Sequence, residues 1–493
     1  MSTNKLTKDY IQKLMERVQN LYLEDDLPWI IGYSGGKDST ATLQLVWHSI
    51  ALLSYEKRFK KDIHVISTDT LVEQPIVCSW VNKSLKLMVK AAKEQKMPII
   101  PHRLTPKIKD SYWVNLIGNG YPAPRQGFRW CTSRLKINPS NDFILNMVKG
   151  HGETILLLGT RKAESAARAA SMQKHEENRI RQWLSPNSSL PNSWVFTPIE
   201  DWSNDEVWFY LLQYKNPWGV NNKDLLAMYR GASQDNECPL VVDTSTPSCG
   251  NSRFGCWVCT LVEKDKSMEA MIQNDSEKIW LTPLLDLRNE IGNVDENGKI
   301  DDYKHRDFRR KDGSIKINFR NGRTIRGPYL KPWREYLLRR LLEIQQTVES
   351  SAPSGFNIQP LITDEELREI RRIWVLEKHE FDDSLPIIYQ EVTGQPYPYL
   401  NDLPHGAFGL AEWNLIKELC GDNYVYLELQ SSLLDIEQRA QGKIRRTSLL
   451  NELEQVIKRC IYADEDDAIA YMSKKNHQSE MDFSDFEEGQ EIE

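Results

Sequence analysis

The sequence predicts an α/β protein built on a doubly wound parallel sheet, followed by a cysteine-rich loop region and a C-terminal helical region. Three observations carry this. Short apolar segments alternate with amphipathic ones over the first 160 residues, which implies strand–helix–strand units with right-handed crossovers. The alternation stops after Trp218, where cysteines, glycines, asparagines and basic residues show little periodicity. Helical spacing then returns from Lys331.

Taken in order, Thr7 to Tyr22 places Ile11, Leu14, Met15, Val18 and Leu21 on one helical face. Trp29 to Tyr33 reads as a strand, and a helix is expected from Ser39 to about Leu53. A second strand spans Ile63 to Thr68, a second crossover helix about Pro75 to Gln95, a third strand Pro98 to Arg103, and a fourth Thr154 to Leu158. C-terminal helices are expected over Trp333–Val348, Thr363–Glu377 and Ser448–Tyr462. The divisions that result are 1–218, a nucleotide-type domain; 219–330, cysteines and a basic segment; 331–470, helical; and 471–493, an acidic tail too poor in apolar groups to fold alone.

Composition narrows the class. The 493 residues are 40% hydrophobic and 27% charged, which is ordinary globular usage and excludes a fibrous or wholly disordered chain. No apolar run is long enough for a membrane span and the N-terminal segment has no apolar signal core, so a cytoplasmic protein that does not engage the membrane is expected. The net charge of −7 is uneven: Glu480 to Glu493 holds seven acids, whereas Lys304 to Arg340 holds 13 Lys or Arg against Asp307, Asp312 and Glu335. Such a basic stretch can neutralise a polyanion, or can be a solvated face.

Three loops carry chemistry. The first is Ser34-Gly35-Gly36-Lys37-Asp38-Ser39, directly after a strand and opening a helix. Paired glycines there let backbone N–H groups converge on an anion, and the helix start adds its positive dipole end. Ser34 and Ser39 offer hydroxyls, Lys37 a full charge, and Asp38 a cap or a metal-orienting carboxylate; the spacing is not that of the Walker loop. Asp69, closing the second strand, can take Mg²⁺, a ribose hydroxyl or a helix-capping role. At the end of the fourth strand, Gly159 would admit a nucleotide closely, and Arg161 and Arg168 would meet phosphate with planar forks. The second loop holds Cys131 among Arg125, Arg129, Arg134 and Lys136, where positive charge would lower the thiol pKa and favour a nucleophilic or sulfur-carrying thiolate; anion binding alone is the other role of such a loop.

The third is the window containing Cys238, Cys249, Cys256 and Cys259, with no histidine. Four sulfurs suit tetrahedral zinc or an iron–sulfur cluster, and the irregular spacing, unlike the paired repeats of a zinc ribbon, points to a 4Fe-4S cluster. Cys78, Cys420 and Cys460 lie at helical apolar positions and read as core thiols.

The glycine loop resembles the PP-loop of the ATP pyrophosphatase superfamily, an adenine nucleotide alpha hydrolase-like fold. Gly159-Thr160-Arg161 through Ser165, and Thr197-Pro198-Ile199-Glu200-Asp201-Trp202, resemble the phosphoadenylylsulfate reductase branch. Together with Asp69-Thr70-Leu71-Val72-Glu73, Arg129-Trp130-Cys131-Thr132 and Ser248 to Cys259, they resemble the DndC family of bacterial DNA phosphorothioation over roughly residues 10 to 350. The resemblance implies ATP cleavage to AMP and pyrophosphate with Mg²⁺, a 4Fe-4S cluster, DNA as substrate, and a cysteine desulfurase and other Dnd proteins as partners. Other classes are a phosphoadenylylsulfate or adenylylsulfate reductase, a tRNA-thiolating PP-loop enzyme, and a DNA-associated scaffold that senses ATP. The reductases' C-terminal Glu-Cys-Gly-Leu-His-like segment and adjacent Cys-Cys pair are not in this sequence.

Overall fold

The computed structural model describes residues 6–179, 181–187, 189–232, 254–292, 302–318, 322–403, 408–441 and 447–474. Cys238, Cys249, Arg320 and the acidic tail beyond residue 474 lie outside the described residues.

Helix α1 (Lys8–Glu24) starts where Thr7 caps it, its side chain accepting from the Tyr10 amide at 3.1 Å, and buries the apolar face expected of it. Strand β1 (Trp29–Gly32) runs into the glycine loop and α2 (Lys37–Ala51). After a one-turn α3 (Tyr55–Arg58) come β2 (Ile63–Thr68), α4 (Pro75–Glu94), β3 (Ile99–Leu104), α5 (Asn138–His151) and β4 (Thr154–Leu157). Next are α6 (Ala166–Glu177), β5 (Ser185–Pro186), β6 (Ser193–Phe196), α7 (Asn204–Gln213) and α8 (Asn222–Gly231).

The strands form one six-stranded sheet in the order β3-β2-β1-β4-β6-β5, parallel except for β5 at the edge. Trp29 pairs with Ile63 on one side and Ile155 on the other, so β1 is central. Alternate residues of β1 serve opposite faces. Trp29 and Ile31 join the large core with α1, α2 and α7, while Ile30 joins Ile66, Ile144 and Leu156. Both faces of β1 are therefore covered, which is why it reads as an unbroken apolar run. Beyond the four expected strands, β6 adds to β4, and the antiparallel β5 closes that edge.

The chain divides into two compact units. The first comprises Met1–Tyr112, Pro124–Asn289 and Val348–Leu361 and contains the whole sheet; the second comprises Trp113–Ala123, Glu290–Thr347 and Ile362–Glu493. The loop-rich character expected of 231–330 is broken by α9 (Lys266–Asn274) and α10 (Thr282–Gly292). C-terminally, α11 (Lys331–Ser351) and α12 (Asp364–Arg372) are followed by α13 (Ser384–Thr393), α14 (Leu410–Cys420), α15 (Tyr424–Ala440) and α16 (Thr447–Arg459). The capping box Thr363–Glu366 starts α12, with Asp364, Glu365 and Glu366 in its first turn.

The basic stretch is spent largely inside the second unit. Arg306 pairs with Asp302, Arg309 with Asp307 and Glu428, Arg326 with Glu465, Arg334 with Glu380, and Arg340 with Glu290. Arg306, Arg309 and Arg334 are buried. Charge summed along the sequence overstates the basic surface, because Glu428, Glu465, Glu380 and Glu290, which pair with four of these arginines, come from distant segments. Among the described residues, no helix is long and apolar enough to cross a membrane.

Candidate functional site: a glycine loop and a thiol segment on one sheet edge

A parallel sheet gathers its ligand loops at the carboxyl ends of its strands. Here the loops after β1, β2 and β4 lie on that edge. In the first, Gly35 has φ +76°, and a Cβ there would stand 2.5 Å from Val81 Cγ2, so the turn needs glycine on both counts. The Trp80 indole N–H donates to the Gly35 carbonyl at 3.1 Å. Ser39 Oγ donates to the Gly36 carbonyl at 3.1 Å and accepts from the Ser34 amide at 3.2 Å, so the serines brace the loop internally. Gly36 caps α2 without a side chain, which leaves the cap to amides and dipole.

Asp38 sits between two cations. Its Oδ1 accepts from Arg161 Nε at 2.7 Å and its Oδ2 from Lys37 Nζ at 3.1 Å. Arg161 is buried and its second nitrogen donates to the Trp202 carbonyl at 3.0 Å. The guanidinium expected to meet phosphate is thus paired with Asp38 and bonded to the Thr197–Trp202 turn. Gly159 is also explained differently from its expected role. A Cβ there would come within 2.7 Å of the Asp38 carbonyl oxygen and 2.9 Å of Thr42 Oγ1. The close approach it permits is that of the first turn of α2. Arg168, on the exposed side of α6, reaches Glu164 at 3.6 Å.

After β2, Asp69 accepts from the Leu71 amide at 2.9 Å and pairs with Arg103 at 3.0 Å, while Glu73 pairs with the same guanidinium at 3.2 Å. Asp69, Glu73 and Cys78 are the one group of three potential metal ligands within 4.8 Å of one another among the described residues. Arg103 from the neighbouring β3 already neutralises them, so Asp69 faces an internal cation. Burial pushes the Cys78 thiol up to about 11, as befits a core thiol. Cys460 is likewise buried, and Cys420 partly so.

Leu71 takes a left-handed φ of +63°, a conformation that costs a leucine about 1–2 kcal/mol. The turn it makes presents Val72 and Glu73 to the thiol segment. Glu73 forms an antiparallel bridge with Cys256, and the Trp257 amide donates to the Val72 carbonyl at 3.0 Å. Thr70 Oγ1 lies 3.4 Å from Cys256 Sγ, and the Cys259 amide closes a turn onto the Cys256 carbonyl at 3.1 Å. That turn is what two thiolates of a Cys-x-x-Cys pair need to face one ion or cluster.

The basic loop packs on the same segment. Thr260 Oγ1 donates to the Pro124 carbonyl at 2.5 Å, and Tyr112, stacked on Trp130 at 5.4 Å, reaches the Val258 carbonyl at 3.4 Å. Lys136 is exposed, and its pKa is raised first by Cys256 and further by Glu73, Cys259 and Cys131. Cys131 does not have the lowered pKa expected of it. Desolvation pushes it up, and Cys259 adds to the rise. The arginines of the loop do not outweigh burial at the sulfur; Lys136 serves Cys256 first.

Tyr229 and Arg103 are the residues that sequence reasoning missed. Tyr229 Oη accepts from the Lys37 amide at 3.3 Å across 192 positions of sequence, and no local pattern announces such a contact. Arg103 could have been found from strand order, since β3 lies beside β2 and ends level with it.

Residues 28–261 match the family model described as the phosphoadenosine phosphosulfate reductase domain. An uncharacterised protein of Methanocaldococcus jannaschii is 25% identical over 272 residues, 55% of this chain and 44% of the relative. The chain thus matches less than half of that relative's length. Among solved structures, a phosphoadenylyl-sulfate reductase from Candida auris in complex with phosphate is similar at 14% identity. That match covers 44% of this chain and 91% of the reductase, with a TM-score of 0.27. The U34-tRNA thiolase of Methanococcus maripaludis with its 4Fe-4S cluster is similar at 15% identity, covering 44% and 72%, also with a TM-score of 0.27. The glycine loop, Cys131 and the Cys256–Cys259 pair all lie within the segment 28–261 that matches the phosphoadenosine phosphosulfate reductase domain model.

Proposed function

We propose that this chain is a nucleotide-activating sulfurtransferase that cleaves ATP to AMP and pyrophosphate and replaces a non-bridging oxygen of a DNA backbone phosphate with sulfur. One observation carries the sulfur-transfer reading: the Cys-x-x-Cys pair is held, through the Glu73–Cys256 bridge and Thr70, by the loop after β2, on the same sheet edge as the glycine loop after β1. The choice of DNA rests on the DndC resemblance of the cysteine segment.

The chemistry follows from the residues. Oxide is a poor leaving group from a phosphodiester, so a phosphate oxygen must first be activated. That oxygen attacks the α-phosphorus of ATP and pyrophosphate departs. The amides of the 34–39 loop, the α2 dipole and Lys37 spread the charge developing on it. Arg161 fixes Asp38 in place beside Lys37. A cysteine desulfurase partner, together with other Dnd proteins, supplies persulfide sulfur; a thiol reductant gives it two electrons and cleaves its S–S bond, and the sulfide released attacks the activated phosphorus while AMP leaves with the bridging oxygen. Mg²⁺ would share the pyrophosphate charge.

The described half of the expected ligand set fits an iron–sulfur site: two thiols on one turn, with an exposed ammonium beside Cys256 to offset thiolate charge. Cys256 and Cys259, with Cys238 and Cys249 as the further ligands, would hold a 4Fe-4S cluster, which supplies iron sites with affinity for sulfide.

The test is pyrophosphate release from ATP with DNA, with tRNA and with neither, using the wild-type chain and Asp38→Ala. DNA-stimulated release that is lost in a folded Asp38→Ala protein is the expected result. Stimulation by tRNA alone would move the substrate to RNA, reduction of phosphoadenylyl sulfate would make it a reductase, and release unaffected by Asp38→Ala would remove the glycine loop from the chemistry.

A further inference from the structure

The phenol of Tyr229 stands at the entrance of α2. Its oxygen accepts the Lys37 amide at 3.3 Å, and a Cβ on Gly36 would come within 3.2 Å of that oxygen. Lys37 Nζ lies 5.4 Å from the ring centroid. On the ring's other contacts, Trp208 meets it edge-on at 5.2 Å and Phe254 edge-on at 4.8 Å. Phe254 is two residues before Cys256. One buried side chain therefore touches the backbone that would cradle an anion and the segment that carries the thiols.

The Lys37 N–H is among the helix-start amides that an anion on this loop would use. It is a single donor, and a phosphate oxygen that takes it must displace the phenol. The displaced ring cannot keep its packing on Phe254 unchanged. We propose that Tyr229 is a positioning residue through which anion binding on the glycine loop is transmitted to the Cys256–Cys259 segment. It gives up the Lys37 amide to the anion and shifts against Phe254. The proposal rests on the anion-binding reading of the loop, and it makes the thiol segment respond to whether pyrophosphate is held.

The readout is hydrogen exchange of the full chain, followed by mass spectrometry on peptides covering Phe254 to Thr260. The Trp257 and Cys259 amides there are both hydrogen-bonded and so exchange slowly enough to follow. Inorganic pyrophosphate is the probe, and its binding is measured in parallel by calorimetry. In the wild-type chain, saturating pyrophosphate should change exchange over 254–260 by about threefold or more. Tyr229→Phe keeps the ring and loses the acceptor. It should bind pyrophosphate roughly fivefold more tightly, the worth of one competing hydrogen bond, and its 254–260 exchange should no longer respond. Phe254→Leu should also lose the response and, because coupling is reciprocal, should shift pyrophosphate affinity by no more than about threefold.

An equal response in wild type and Tyr229→Phe overturns the proposal, as does pyrophosphate binding to wild type with no response at all. If the wild-type chain fails to bind pyrophosphate, the anion-loop reading falls and this inference with it. The two failures are distinguishable.

Discussion

Replacing Gly159 by alanine tests whether the loop after β4 sets the position of α2. Ordinary carbon–oxygen contact begins near 3.4 Å, but the new methyl would lie 2.7 Å from the Asp38 carbonyl oxygen and 2.9 Å from Thr42 Oγ1. The obstacle is backbone, so no rotamer change relieves it. Either β4 or the first turn of α2 must yield by about 0.7 Å. Overpacking of this kind costs about 1–3 kcal/mol. The larger consequence is geometric, since the turn that moves carries Lys37, Asp38 and the amides assigned to pyrophosphate. A displacement approaching 1 Å at reacting groups is worth about 100-fold in rate. The assay is pyrophosphate release under saturating ATP, with a circular-dichroism melt to confirm folding. Gly150→Ala is the control, because nothing lies within 4 Å of its new methyl and its site is helical, where alanine is favoured by up to about 1 kcal/mol. A Gly159→Ala protein with wild-type turnover would refute the claim that this glycine seats α2.

Three other outcomes follow from the same structure. Cys259→Ser in protein purified without oxygen should lose iron and broad visible absorption together, and retention of both would remove Cys259 from the cluster. Arg309→Ala should destabilise the second unit by about 2–4 kcal/mol, because it removes the buried guanidinium that Asp307 and Glu428 share at 2.7 and 2.6 Å and leaves Glu428 with Arg459 alone. Burial alone would raise Glu428, yet Arg309 and Arg459 hold it down to about 2, so its stabilisation is complete above the ordinary carboxylate value of 4.5 and is lost as pH falls toward 2. The variant should therefore begin acid unfolding at higher pH; an unchanged acid midpoint would show that the ion pairs contribute little. In the sheet, His64 Nδ1 and His102 Nε2 lie 3.0 Å apart, and desolvation lowers both pKa values below 6.5. The unfolded chain thus binds more protons here, and stability should fall as pH drops from about 7 to 5.5. Urea midpoints of the wild type and a His64→Gln, His102→Gln double variant check this, the variant losing part of that slope.

Local chemistry was enough to read the sheet-bearing half of the molecule. Apolar runs at Trp29, Ile63 and Thr154, with amphipathic helices between them, specify parallel strands covered on both faces, because only a buried strand is apolar on both sides. Glycines directly after β1 likewise announce a tight turn that opens a helix. Helices α5 and α6 were not legible, and each buries little: Ile144 in one, Met172 in the other. Strand β6 is four residues long and acquires its identity only by pairing with β4.

What only the tertiary structure decided is which charge meets which. Arg161 reads as a phosphate ligand until Asp38, 123 positions earlier, is found against it. The arginines of 304–340 read as a surface until Glu428 and Glu465 arrive from the C-terminal helical region. Tyr229 reads as one aromatic among many until its oxygen meets the Lys37 amide. A sequence states which donors and acceptors exist, but burial makes pairing obligatory, and the partner is chosen by the path of the chain in space.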